Sequence, residues 1–316
     1  MRHQEKGRTM KGFIATGRTD RTVELVELPQ PEPKADELLL KVDAYSVNRG
    51  ETFLLESPPP GWRPGKDVAG LVVQAAADGS GPAVGERVVA HPPASGWAEY
   101  VAVSTASVAA LPERVTTSQA AALPLAGLTA LRLLRATDGV LGKRVLLTGA
   151  SGGVGHYVVE LAVAAGAVVT AVSSSPERGR RLGEFGATVV PKVEAATGPF
   201  DLVLESTGGS NLPAALDRLV PGGTLIWFGQ ASREPVTLNF FDLLHGAPGV
   251  TIRHFSYAAA APAETYGDDL ATLVRLVAED RLHPEIGLVA NWTRTADVLT
   301  DLRDRRIRGN AVLTVA

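Results

Sequence analysis

The sequence predicts an α/β protein of two domains, a small β-rich lobe followed by a doubly wound parallel sheet. Three observations carry this reading. Before about residue 118 the chain is a series of short strand-like runs separated by Gly/Pro turns, with no strong helical pattern among them. From Thr117 onward, helical Ala/Leu-rich segments alternate with short apolar strands at the spacing of βαβ units. Between Lys143 and Gly166 (KRVLLTGASGGVGHYVVELAVAAG) a buried strand, a glycine turn and a helix follow one another directly.

The elements follow in order. Residues 1–9 (MRHQEKGRT) are polar and aperiodic and read as a disordered extension. Strands are expected at 11–15, 23–28, 37–45, 68–73, 87–90 and 97–103, and Pro29, Pro31 and Pro33 hold the chain extended after the second. Helical composition begins at 118–123 and 127–136. Strands then fit at 144–149, 167–172, 187–190, 201–206, 223–228 and 251–256, with helices at 153–165, 176–185, 211–219 and around 238–245. The tail carries a helix (269–279), an extended piece (286–290), a second helix (295–303) and a last strand (311–315), and such a tail can close back on the β-rich lobe.

Composition bounds the function. With 21% charged and 45% hydrophobic residues, this is an ordinary globular composition, and a net charge of -3 gives no reason to expect nucleic acid or an acidic membrane as partner. No apolar run reaches the ~18 residues of a membrane span. No charged-then-apolar leader opens the chain, so a cytoplasmic enzyme is the expectation. Cysteine is absent, which excludes disulfides, thiolate catalysis and cysteine-ligated metal. The six histidines (His3, His91, His156, His245, His254 and His283) show no metal-binding spacing, and there is no Gly-x-Ser-x-Gly elbow.

The glycine turn is the strongest motif. It reads Ala150-x-Gly152-x-x-Gly155 with Gly149 one place early, close to the dinucleotide fingerprint. A strand, a tight turn and a helix N-terminus present free N–H groups and a positive dipole end to a pyrophosphate. At the tip of the next strand, where NAD sites place an acid for the ribose 2′-OH, the chain has Val172-Ser173-Ser174-Ser175-Pro176-Glu177-Arg178. Hydroxyls beside a guanidinium favour a 2′-phosphate, hence NADPH over NADH; a Ser-rich helix cap with a solvated basic face is the plainer account. In the β-rich lobe, polar groups concentrate in Asp43-Ala44-Tyr45-Ser46-Val47-Asn48-Arg49-Gly50-Glu51. Asn48 can bond a ribose hydroxyl or a substrate carbonyl, and Tyr45 or Glu51 can supply a proton; a loop with an Asx-type turn explains the same residues. Asp67 and Arg87 form a candidate structural ion pair, and Thr129 places a hydroxyl near the start of a helix.

With these residues in view, the chain resembles the medium-chain dehydrogenase/reductase superfamily and, within it, the zinc-free quinone oxidoreductases related to zeta-crystallin. The resemblance runs from Met10 to Ala316 through Val47-Asn48, Pro64-Gly65-x-Asp67-x-Ala69-Gly70, Gly85-Glu86-Arg87-Val88, Ala98-Glu99-Tyr100, Gly127-Leu128-Thr129-Ala130, the turn Leu147 to Gly155, and Pro221-Gly222-Gly223. It implies a GroES-like catalytic domain at 10–120, completed by 257–316, and a Rossmann NADPH-binding domain at 121–256. It also implies NADPH-dependent hydride transfer to a small electrophile, a quinone or the C=C bond of an α,β-unsaturated carbonyl, in a cleft between the lobes. By the same match, Asn48 and Thr129 line the nicotinamide and position the reactants. Ser151, Gly152, Gly153 and Val154 hold the pyrophosphate, and Ser173, Ser174 and Arg178 the 2′-phosphate. Phe228, Gly229, Phe255 and Ser256 approach the nicotinamide end, and Asn310 stands where many relatives carry a lysine. A homodimer through the strand edge at 251–255 is expected on resemblance alone. Zinc is not expected, because its ligand positions read Val47-Asn48-Arg49-Gly50 and Gly65-Lys66-Asp67. Three departures, Gly309-Asn310 among them, leave the pocket and proton source open. Val190-Pro191-Lys192 replaces an aromatic cofactor contact, and the proline-rich stretch from Glu51 to Pro60 lacks a donor tyrosine. An enoyl-thioester reductase and an NADPH-binding protein with little catalysis are the alternative readings.

Overall fold

The computed structural model describes residues 8–259 and 264–315. The chain divides into two compact units, Met1–Leu128 with Pro262–Ala316, and Thr129–Ala261. Of the expected extension, residues 1–7 lie outside the described residues, whereas Thr9 already belongs to the first strand, paired with Pro29.

The first unit opens with β1 (Thr9–Ala15) and β2 (Val23–Pro29), an antiparallel pair. The long β3 (Glu37–Val47) is followed by a helix the sequence does not announce, α1 (Arg49–Leu54). Then come β4 (Val68–Gln74), β5 (Arg87–Ala90), β6 (Tyr100–Ser104) and β7 (Val108–Ala110). The strand expected from residue 97 begins instead at Tyr100. Trp97 is a fully buried core residue stacked on Tyr45 at 5.6 Å, its indole N–H donating to Ser46 O. Two helices follow, α2 (Thr117–Ala121), capped by Thr116, and α3 (Pro124–Arg135), with proline at its first position where no N–H is needed. The boundary between units falls inside α3, between Leu128 and Thr129, rather than near residue 120. The helix runs through it unbroken, so composition marks no seam there.

The second unit alternates β8 (Arg144–Leu147), α4 (Gly153–Ala164), β9 (Val168–Val172), α5 (Pro176–Glu184), β10 (Thr188–Val190), β11 (Phe200–Glu205), α6 (Asn211–Leu216), β12 (Leu219–Trp227), α7 (Phe240–His245) and β13 (Thr251–His254). All six strands are parallel, in the order β10-β9-β8-β11-β12-β13. Counted from β8 as the first, this is the 3-2-1-4-5-6 order of a doubly wound dinucleotide fold. Apolar runs such as Val145, Leu146 and Leu147 are wholly buried, as a strand covered on both faces requires.

The chain then returns to the first unit with α8 (Tyr266–Ala278), β14 (Ile286–Asn291), α9 (Thr295–Arg303) and β15 (Asn310–Thr314). β15 pairs antiparallel with β3, Ala311 opposite Val47, within a seven-stranded sheet that also holds β4 to β7 and β14. Leu38, Leu40, Tyr45, Trp97, Trp292 and Leu313 pack its core. No helix among the described residues is long and apolar enough to cross a membrane.

Candidate functional site

In the parallel sheet the strand order reverses between β8 and β11, and such a switch point opens a crevice at the strands' carboxyl ends. Here the chain leaves β8 through Thr148 into the glycine turn. Gly149 has φ +62°, and a Cβ on it would lie 2.5 Å from Ser206 Oγ. A Cβ on Gly155 would lie 2.2 Å from the carbonyl oxygen of Ala150, so only glycine lets α4 pack this close to the turn. Gly152 differs from both. Its backbone is extended, and a Cβ would come no closer than 3.4 Å to the protein. As the residue that precedes α4 it offers no capping side chain, so the amides of Gly153 and Val154 have no intrahelical partner and no side-chain cap among the described residues. Ser151, Gly152, Gly153 and Val154 are all half-buried, whereas Gly155 to Glu160 are buried. The accessible part of the turn is the part an anion would use.

A residue the sequence reading missed holds this turn in shape. Glu205, fully buried at the end of β11, accepts from Thr148 Oγ1 (2.9 Å), Thr207 N (2.8 Å), Thr207 Oγ1 (2.6 Å) and Gly208 N (3.0 Å). Thr148 Oγ1 in turn accepts from Ser206 N at 2.9 Å, tying the ends of β8 and β11 together. The available signal was a lone acid closing the apolar strand FDLVLE before Ser-Thr-Gly-Gly. Phe228 N donates to Glu205 O, and the Cα of Gly229 lies so near Ser206 that a Cβ would be 3.1 Å from its carbonyl. Phe255 N donates to Trp227 O, with Ser256 next in the chain. The structure therefore gathers the turn, Phe228 and Gly229 around Ser206, and sets Phe255 and Ser256 after the neighbouring strand.

The serine tip divides its labour. Ser173 is buried and its hydroxyl donates to Ser175 O at 3.1 Å, so it serves the tip's own fold. Ser175 caps α5 by accepting from Arg178 N at 3.4 Å. Ser174 is exposed and Arg178 half-buried.

In the first unit, Asn48 leads into α1, so the expected loop is a capped helical turn. The Glu51 carboxylate reaches back to accept from Asn48 N at 3.1 Å, and its other oxygen accepts from Gly65 N at 2.9 Å. Asp67, also fully buried, accepts from Ser46 Oγ (2.6 Å), Asn48 Nδ2 (2.6 Å) and Leu125 N (2.9 Å). The expected Asp67–Arg87 pair does not form. Both Asp67 oxygens are taken by closer donors, and Arg87 Nη2 donates to Val115 O instead. His91 adds an edge contact, Nδ1 lying 2.7 Å from Lys66 O and 3.6 Å from Asp67 Oδ1.

This network decides what Asn48 offers. Its Nδ2 donates to Asp67 and faces Glu51 Oε2 at 3.5 Å, so the amide nitrogen is directed at carboxylates. Its Oδ1 lies at the start of α1, facing the Glu51 N–H in a capping-box arrangement, and an amide oxygen only accepts.

Burial, and then the charge of Asp67, push the Glu51 carboxyl up to about 8, against the pull of the Gly65 and Asn48 hydrogen bonds. Its folded pKa lies above the unfolded value of 4.5. The folded state therefore holds the extra proton, and the stability this group contributes is full below about 4.5 and declines as pH rises to about 8. Glu51→Gln is expected to flatten that decline in urea titrations run from pH 5 to pH 8; an unchanged slope would place the titration elsewhere.

Two sequence candidates stand differently from expectation. Tyr45 is wholly buried, its hydroxyl 2.6 Å from Thr295 Oγ1, and burial raises its pKa further, so it is a core residue and not a proton donor. Asn310, 4% exposed, donates from Nδ2 to Glu285 O at 3.2 Å and fixes the start of β15. Thr129 is buried on α3.

The donor set does not suit zinc. Cysteine is absent, Asp67 and Glu51 are committed to the donors named above, and no group of three or more metal-ligating side chains forms among the described residues.

Comparison with known proteins agrees with the topology. The family described as zinc-binding dehydrogenase matches residues 153–278, and the alcohol dehydrogenase GroES-like domain matches residues 34–113. A mouse quinone oxidoreductase is 30% identical over 234 residues, 68% of this chain and 70% of the relative. The chain belongs to the medium-chain dehydrogenase/reductase superfamily, in its quinone oxidoreductase branch. A chloroplast envelope quinone oxidoreductase homolog of Arabidopsis thaliana is 38% identical over 165 residues, 47% of this chain and 50% of the relative. The match thus spans about half the length of that plant relative. A mycobacterial protein solved in complex with NADPH superposes with a TM-score of 0.85 at 26% identity, covering 97% of this chain and all of that one. Within the superfamily fold, the first unit is the GroES-like domain and the second the Rossmann domain.

Proposed function

We propose that this chain is an NADPH-dependent oxidoreductase that transfers a hydride to a quinone or to the C=C bond of an α,β-unsaturated carbonyl, without zinc. The observation that carries the reading is the N-terminus of α4 at the switch point, where Gly152 offers no capping side chain and leaves room that the described residues do not fill. The residues fit a dinucleotide. The amides of Gly153 and Val154 would hold the pyrophosphate, and Ser174 and Arg178 the 2′-phosphate. The NADPH-bound mycobacterial structure and the quinone oxidoreductase relatives support the choice of cofactor and acceptor.

Bound NADPH supplies a hydride, and the protein supplies position. Asn48, held by Asp67, is the residue of the first unit assigned to positioning the reactants. Tyr45 is withdrawn into the core, so no protein acid is invoked; solvent can protonate a reduced quinone or enone.

NADPH and NADH oxidation against quinones, simple enones and enoyl-thioesters tests the reading. Turnover of quinone or enone with NADPH is expected, and turnover of none of them would end it. Arg178→Glu should raise the KM for NADPH at least about tenfold more than that for NADH, since a charge-assisted phosphate pair is worth about 1.5–3 kcal/mol. Equal effects on the two would overturn the 2′-phosphate assignment.

A further inference from the structure

The loop at 56–65, between α1 and the Gly65 that Glu51 holds, folds over the end of β1 and encloses a groove of about 420 Å³. Its walls are flat and apolar for the most part, made by Ile14, Pro58, Pro60 and the Trp62 indole, with Thr16 at one side. One cation lines it, Arg63. The backbone around Arg63 is fixed on both sides, by Ser95 N donating to its carbonyl and by the Glu51–Gly65 bond two residues on. Its guanidinium, in contrast, is half-buried and meets no carboxylate or carbonyl among the described residues. Burial alone acts on its titration, lowering its pKa, with no neighbouring acid to offset it.

A guanidinium carries five N–H donors, and one that no protein acceptor engages can turn them to an incoming anion. Arginine's planar fork matches a carboxylate bidentately. Proline rings and an indole offer the flat apolar surface that an aromatic or conjugated ring covers well.

We propose that this groove binds flat, carboxylate-bearing small molecules, with Arg63 pairing the carboxylate and Trp62 and the prolines receiving the ring. As a statement about the acceptor, that the enzyme prefers acidic quinones or enones over neutral ones, it rests on the reductase reading above. As a binding site it stands alone.

Two measurements separate these. The first is calorimetric titration with 2-naphthoate, a flat carboxylate that takes no hydride, on wild type, Arg63→Gln and Arg63→Lys. Wild type is expected to bind, Arg63→Gln to weaken binding about 10- to 100-fold, and Arg63→Lys to recover part of it, as expected for a charged hydrogen bond. Binding that is absent from wild type, or unaltered by Arg63→Gln, overturns the site whatever the enzyme turns over. The second is NADPH oxidation with a naphthoquinone bearing a propanoate side chain against its methyl ester. Wild type should favour the acid over the ester by about tenfold or more in kcat/KM, and Arg63→Gln should abolish that ratio, which is internally controlled for any loss of fold. A ratio that survives the substitution sinks the acceptor assignment. Arg63-dependent naphthoate binding with no NADPH oxidation by any quinone, enone or enoyl-thioester would sink the reductase reading and leave the site standing.

Discussion

Gly152→Ala is expected to leave the fold intact and to weaken NADPH binding at least about tenfold, whereas Gly155→Ala is expected to damage the fold itself. The two glycines lie three residues apart in one turn, yet their surroundings differ. At Gly152 the backbone is extended, open to any residue, and the nearest protein atom to a new methyl is 3.4 Å away. The stability cost should stay below about 1 kcal/mol, the modest penalty for alanine before a helix. The methyl would instead stand in the space above the α4 amides, where a pyrophosphate must approach. At Gly155 the methyl would meet the Ala150 carbonyl oxygen at 2.2 Å and its carbon at 2.5 Å, backbone atoms that cannot step aside. Moving α4 off the turn should cost about 1–3 kcal/mol, the range for overpacking. Urea midpoints paired with fluorescence titration of NADPH check both. If Gly152→Ala binds NADPH as wild type does, the turn is not the phosphate site.

Asp67→Ala should be the most destabilising polar substitution in the first unit, by about 3 kcal/mol. Removing the carboxylate strands the Leu125 amide and the Ser46 hydroxyl in the interior and leaves Asn48 Nδ2 without its anchor. Each buried donor left unpaired costs about 1–3 kcal/mol, and the Ser46 hydroxyl can turn to soften its share. Asp67→Asn should rescue little. Its amide nitrogen would oppose a donor wherever it points among these three partners, and shape alone does not repair the polarity. Because Asn48 then loses the contact that aims its oxygen, KM for NADPH should rise in both variants. Chemical denaturation with parallel steady-state kinetics reads the two effects. A full-stability Asp67→Asn protein would show that the donors find other partners.

What was legible in the sequence is what periodicity and turn chemistry encode. The parallel sheet showed in its apolar runs, and the turn at Gly149 to Gly155 showed because glycine marks places where a side chain has no room. The network around Asp67 did not show, because Ser46, Asn48 and Leu125 converge on it across gaps of 21, 19 and 58 positions. No local pattern records such a meeting, and guessing Arg87 as partner matched opposite charges without knowing where the backbone amides point. Glu205 was overlooked for a related reason. A buried acid that accepts only from backbone and hydroxyl groups has no charged partner to betray it. Tyr45 failed as an acid because strand alternation does not say which polar tip ends in the core. Helix α1 is six residues long, too short for periodicity to register.

The first unit is discontinuous in sequence, and that has a consequence for how the protein is made. β15, near the end of the chain, lies against β3, bringing Ala311 opposite Val47, the residue before Asn48. During synthesis the Rossmann domain emerges whole and can fold while translation continues. The GroES-like sheet must wait with the β3 edge unpaired until β15 has left the ribosome. Until then an apolar strand edge stands open to wrong partners. Disrupting β15 would therefore uncover the strand edge next to Asn48, from a distance of more than 250 positions along the chain.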